Sequence, residues 1–214
     1  MLVSDCVRLG VCQAFLTSFS GGSPTVAADF AEAAVNVSID GWASSTTRGW
    51  VAAVSSEQLA VLGEERQSRT RLDAAREAVA GQEPDPAFAG VGTFDLAKAT
   101  AYEGGNLVRL GRYDDAVAVL DTALTALAPI MYRHRCTALI DRAEAQFASG
   151  RVDASCEDAT AALSIAAHTG HTLSLRRVHQ LAAAARPTHA AAARRLWADV
   201  LAATAHLGQP WPPR

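Results

Sequence analysis

The six histidines and four cysteines are the residues best suited to hold a metal or to serve as base and nucleophile, and two short segments bring some of them close together. His168-Thr169-Gly170-His171 spaces two imidazoles as neighbours on a helix face, but Gly170 breaks the helix that has to align them, and no acidic residue or cysteine adjoins. The segment reads as a turn after a helix. His134 and Cys136 lie two apart, which sends helical side chains in different directions, so neither is assigned to a site. Cys6, Cys12, Cys136 and Cys156 make neither a C-x-x-C pair nor a zinc pattern, and read as reduced core residues of a cytosolic protein.

Catalysis needs a nucleophile, a base and an orienting group in convergence. The chain has no G-x-S-x-G, no H-E-x-x-H and no G-x-x-x-x-G-K-[ST]. Gly21-Gly22-Ser23-Pro24 resembles the start of a phosphate loop without its lysine, and reads as an interhelical turn with Pro24 opening the next helix. The expectation is a protein without catalytic residues, bound metal or cofactor.

Charge narrows the partners. Nineteen basic against 22 acidic residues give a net charge of -3, without the clustered basic excess that a phosphate backbone demands. Direct nucleic-acid binding by this chain is not expected. The first residues, MLVSDCVRLGVCQAFLTSF, are apolar, yet they lack a basic leader and Arg8 interrupts the run. No other stretch is long and apolar enough for a membrane span, so the expected location is the cytoplasm. Only Lys98 among the basic residues is a lysine, and the Ala- and Arg-rich composition is that of a GC-rich genome.

The elements that would position any site are helices. Alanine recurs throughout and favours helix because it loses no side-chain entropy. A glycine turn followed by small residues at helical spacing returns along the chain: Gly63 with Leu72 and Ala75, Gly111 with Ala116, Leu120 and Ala123, Gly150 with Ala159 and Ala162. Asp114 and Asp153 are expected as N-caps. GQEPDPAFAGVG interrupts the series with residues that cannot continue a helix. Residues 2–19 and 24–38 read as a preceding helix pair, 172–186 and 188–207 as two closing helices, and 208–214 as an extended tail. No window alternates as a strand does. The expected fold is all-α, a single domain over 1–207.

Gly111-Arg112-Tyr113-Asp114-Asp115-Ala116, followed by Leu120, Ala123 and Pro129, resembles the second half of a tetratricopeptide repeat, with Gly104 at the small position of the first half. Thr100 replaces the bulky residue usual there, and the intervals between turn glycines exceed the family's repeat, so the copies are degenerate. The resemblance implies a right-handed α-solenoid of helix pairs with closing C-terminal helices. Across roughly 42–186 the order of segments is similar to the C-terminal repeat region of actinobacterial regulators that carry an Xre-type helix-turn-helix. There the repeats are taken to sense a peptide or protein and to dimerise. The chain opens on an apolar helix where the DNA-binding part would stand, and a solenoid end needs a polar outer face or a cover. A regulator remnant, a fragment and a free-standing adaptor all remain open.

Placed on that repeat, the first helices would line a binding groove with Trp50, Glu57, Lys98, Gly105, Arg109, Glu144 and Phe147, aromatic and charged anchors for a peptide. Trp50 and Phe147 are equally readable as core. Lys98 stands alone and Gly105 occupies an expected Asn position, so the carboxylate clamp of chaperone-binding members is not expected. Arg176-Arg177 and Arg194-Arg195 read as solvated helix faces, with a subunit contact as the alternative. The functional expectation is a protein- or peptide-binding module of a transcriptional regulator, able to form a homodimer, with a structural adaptor as the alternative.

Overall fold

The computed structural model describes residues 3–19, 21–40, 43–81 and 93–205. They form ten α-helices and no strand: α1 Val3–Phe19, α2 Pro24–Asp40, α3 Ser45–Val61, α4 Glu65–Val79, α5 Leu96–Arg109, α6 Tyr113–Ala126, α7 Tyr132–Ala148, α8 Val152–Thr169, α9 Thr172–Ala185 and α10 Ala191–Ala205. The Pro-rich interruption, residues 82–92, and the tail, 208–214, lie outside the described residues. The contacts divide into two compact units, Met1–Gly111 and Arg112–Arg214.

In the first unit α1 pairs with α2, α3 with α4, and α5 packs on α3 and α4. The contacts are close because the facing residues are small. A Cβ added at Gly49 would lie 2.9 Å from Val79 Cγ1 and 3.1 Å from the Ala75 carbonyl oxygen, so α3 meets α4 almost backbone to backbone. Val7, Val11, Ala31, Val35, Val51 and Val54 fill one core cluster, and Ala52, Ala53, Ala75, Val79, Phe94 and Ala99 a second. Trp50 and Tyr102 pack against both.

In the second unit α7 lies against α6 and α8, and α9 and α10 close over α8. Ala116, Leu120 and Ala123 on α6, and Ala159 and Ala162 on α8, are fully buried, as their helical spacing requires. Trp197 of α10 is held between His179, at 5.2 Å between ring centroids, and the guanidinium of Arg186, at 4.7 Å.

The helix pairs share one local register. Gly63 and Gly150 take φ of 78° and 77°, a left-handed conformation in which any side chain is strained. Five residues beyond each glycine a buried serine reaches back across the pair: Ser68 Oγ donates to the Ser56 carbonyl at 2.8 Å, and Ser155 Oγ to the Ala143 carbonyl at 2.8 Å. The accepting carbonyl lies seven positions before the glycine in both cases, so α3–α4 and α7–α8 repeat turn and cross-link at the same offsets. Gly111, with φ of 75°, follows α5.

The expected caps are corrected. Helices α6 and α8 begin one residue before Asp114 and Asp153, with Arg112 and Arg151 at the cap positions and no side-chain cap bond. The aspartates act from the first turn, where a negative charge meets the positive end of the helix dipole. The expectation of four core cysteines is also corrected: Cys136 and Cys156 are buried, Cys6 is half-buried, and Cys12 is exposed because it lies off the α1 face that buries Val7, Val11 and Ala14. Burial raises both buried thiols above their ordinary pKa.

Gly150→Ala forces a Cβ into positive φ and should destabilise the protein by about 1 kcal/mol in urea unfolding. Gly49→Ala pushes against buried Val79 and Phe94 side chains as well as the Ala75 carbonyl oxygen, and should cost about 1–3 kcal/mol in the same assay.

Candidate functional site

In the first unit the structure brings together three of the residues singled out by sequence. Arg109 near the end of α5 donates to Glu57 Oε1 on α3 at 2.6 Å and to the Gly105 carbonyl at 2.7 Å. Gly105 has no side chain to obstruct the guanidinium folding back over its own helix. The pair keeps 23% and 19% of its side-chain surface, so it is reachable from solvent while partly shielded. Trp50 lies two turns before Glu57 on the same side of α3, half-buried and packed against the two core clusters.

Lys98 does not present its charge outward. It is 5% exposed, and its ammonium donates to the Thr93 carbonyl and lies 3.8 Å from Asp95 Oδ2. Burial lowers its pKa, with Asp95 opposing. Asp95 also caps α5 by accepting from the Lys98 amide at 2.9 Å. This lysine anchors the entry to α5.

Asn106, behind Arg109, is buried and donates through Nδ2 to Ser56 Oγ at 2.9 Å and to Ser68 Oγ at 3.4 Å. Both serine hydroxyls already donate to carbonyls, of Ala53 and Ser56, so the amide must turn its nitrogen toward them. Its Oδ1 is left without a partner. The cost of that orphan is offset by fixing α5 against the α3–α4 pair through one side chain.

A cleft of about 660 Å³ opens between α2, α3 and α4. Thr25, Ala28, Asp29 and Glu32 of α2, Leu59 of α3, and Gln67, Thr70 and Arg71 of α4 are among the residues that line it. Glu32 bridges it, accepting from Ser55 Oγ at 3.2 Å and pairing with Arg71. Sequence reasoning missed this cleft, because it depends on the angle between helix pairs.

In the second unit Glu144 belongs to an ion-pair cluster. Arg177 of α9 donates to Asp141 Oδ1 at 2.6 Å and to Glu144 Oε2 at 2.8 Å and Oε1 at 3.1 Å, both acids standing on α7. Burial opposes its charge, but Asp141 and Glu144 more than offset this and raise its pKa. The reading of Arg177 as a solvated residue is thus corrected. Its partners lie 33 and 36 residues away in sequence, so no local charge pattern announces them. A second arginine, Arg142 of α7, donates to both Asp158 oxygens at 2.7 Å and pairs with Asp121, tying α6, α7 and α8 together. Phe147 is half-buried on α7.

The histidines are local. Gly170 ends α8 at φ of 65°, and His171 Nδ1 hydrogen-bonds Ser174 Oγ at 2.7 Å at the start of α9. Burial, and after it Arg133, lowers the His171 pKa below its ordinary 6.5.

Arg177→Met should destabilise the second unit by about 3–5 kcal/mol, because Asp141 is 5% exposed and would lose the guanidinium that faces its buried charge. Chemical unfolding with Arg177→Lys as the partial rescue checks it. For His171 the unfolded chain takes up a proton near pH 6.5 that the folded chain refuses until lower pH, so stability should fall as pH drops through that window. His171→Asn should flatten the slope there.

No protein-family model matches this chain, and no curated protein or solved structure matches it.

Proposed function

We propose that the chain is a degenerate tetratricopeptide solenoid that binds a protein or peptide, and that it serves as the interaction part of a transcriptional regulator. The observation that supports this reading is the shared register of α3–α4 and α7–α8, with a left-handed glycine at each turn and a serine hydroxyl bonded across each pair at the same offset. Repeated helix pairs of this kind expose the faces of their first helices, and recognition there uses whatever side chains those faces carry.

On the first helices the candidate contacts are Glu57 and Arg109 in one unit and Glu144 and Phe147 in the other. The Glu57–Arg109 pair suits a peptide in a specific way. An incoming carboxylate takes the planar guanidinium by two parallel bonds, and the released Glu57 accepts a backbone N–H or an ammonium. Exchange of one charge-assisted contact for another leaves no buried charge alone. Lys98 and Trp50 then act through the fold, one holding the start of α5 and the other the two core clusters.

The test is quantitative capture from cytosol on the purified chain, compared with Arg109→Met and Glu57→Gln. The expected result is one stoichiometric partner whose capture falls at least tenfold, about 1.4 kcal/mol or more, in Arg109→Met while circular dichroism is unchanged. A DNA-binding partner supports the regulatory role, and a partner without one favours the adaptor. Capture indifferent to both substitutions contradicts the reading.

A further inference from the structure

Thr25, Asp29 and Glu32 follow one another at intervals of four and three on α2, and Ser55, Leu59 and Leu62 do so along and just past α3. Each set therefore falls on one side of its helix, and the two sets converge on the cleft of about 660 Å³ in the first unit. Arg66 and Arg71 reach it from α4. That volume is within the range of small-molecule sites. Glu57 lies about 200° around α3 from Ser55 and from Leu59, so the cleft is on the opposite side of that helix from the Glu57–Arg109 pair.

The charges in the cleft separate by helix. Asp29 and Glu32 come from α2, Arg66 and Arg71 from α4, and α3 packs against both helices. Glu32 and Arg71 meet, with Ser55 Oγ donating to Glu32 at 3.2 Å, and this bridge ties α2 to α4. Glu64 is held by Gln67 Nε2 at 3.2 Å. Asp29 stands one turn, and Arg66 more than one turn, before the bridge on their helices. Both are exposed, and among the described residues neither has an ion-pair partner. Leu59 and the 38%-exposed Leu62 add apolar surface.

We propose that this cleft binds a small free zwitterion, a dipeptide with apolar side chains, its ammonium on Asp29, its carboxylate on Arg66 and a side chain over Leu59 and Leu62. Ligands of a single sign do not fit, because a phosphate meets Asp29 and Glu32, and a polyamine meets Arg66 and Arg71. One end of a larger protein carries only one of the two charges and leaves the other residue unanswered. A dipeptide carries both, held apart as a carboxylate and a guanidinium on different helices require. The guanidinium takes the carboxylate by two parallel bonds.

Titration calorimetry of the full chain with leucyl-leucine tests it, beside the N-acetylated dipeptide, the dipeptide amide and free leucine. Leucyl-leucine should bind with Kd below about 1 mM, and each of the other three at least about tenfold more weakly. Asp29→Asn should bind leucyl-leucine and its N-acetyl form alike, and Arg66→Gln should bind leucyl-leucine and its amide alike. Both positions are exposed, so circular dichroism should not change. The proposal is overturned if calorimetry and ligand-observed NMR find no binding up to about 10 mM dipeptide. Affinity that ignores the capping groups, free leucine binding as tightly as the dipeptide, or variants that keep the wild-type discrimination overturn it as well. The dipeptide touches neither Glu57 nor Arg109, so this proposal and the capture of a partner on the first helices fail independently.

Discussion

Close approach of helices through small side chains is the constraint on which the rest of the structure depends. Where Gly49 faces Ala75 and Val79, or Gly10 faces Ala34 with only 3.0 Å left for a Cβ, the backbones come near enough for one helix to be read by the next. A serine hydroxyl spans that gap and a longer side chain is not needed, which is why Ser68 and Ser155 can bond a carbonyl on the neighbouring helix. The glycine at each turn follows from the same geometry, since two helices this close leave room only for a short link that must pass through positive φ.

Small residues supply little apolar area each, so the cores are thin and polar interactions take a larger part in holding helices in place. Arg177 and Arg142 pin α9, α6 and α8 to α7, while Asn106 and Arg109 pin α5 to the α3–α4 pair. Such pairs specify orientation more than they add stability, because desolvation offsets much of the attraction. Most of the charge in the helix contacts is committed internally. The Glu57–Arg109 pair is partly shielded but still reachable from solvent.

The helices and their buried faces were legible because period and glycine chemistry are local: Leu72, Ala75, Ala116, Leu120 and Ala123 lie where their spacing puts them. Caps were less so. Asp114 and Asp153 carry the right chemistry for a cap, but the chain turns one residue earlier and uses them inside the first turn. Of the candidate site, aligning the turn glycines named Glu57 and Arg109 without foreseeing that they pair with each other. The place of Lys98 was not legible either, because the loop before α5 offers it a carbonyl that no pattern in its own helix reveals. Arg177 was misread for a related reason, its partners coming from a different helix.

The central claim is that ligand is taken on the first-helix faces, and hydrogen exchange of the chain with and without its captured partner tests it most directly. The account predicts slowed exchange in segments 45–61, 96–109 and 132–148, with 65–79 and 152–169 unchanged. Protection confined to those last two segments, or to α10, would contradict it.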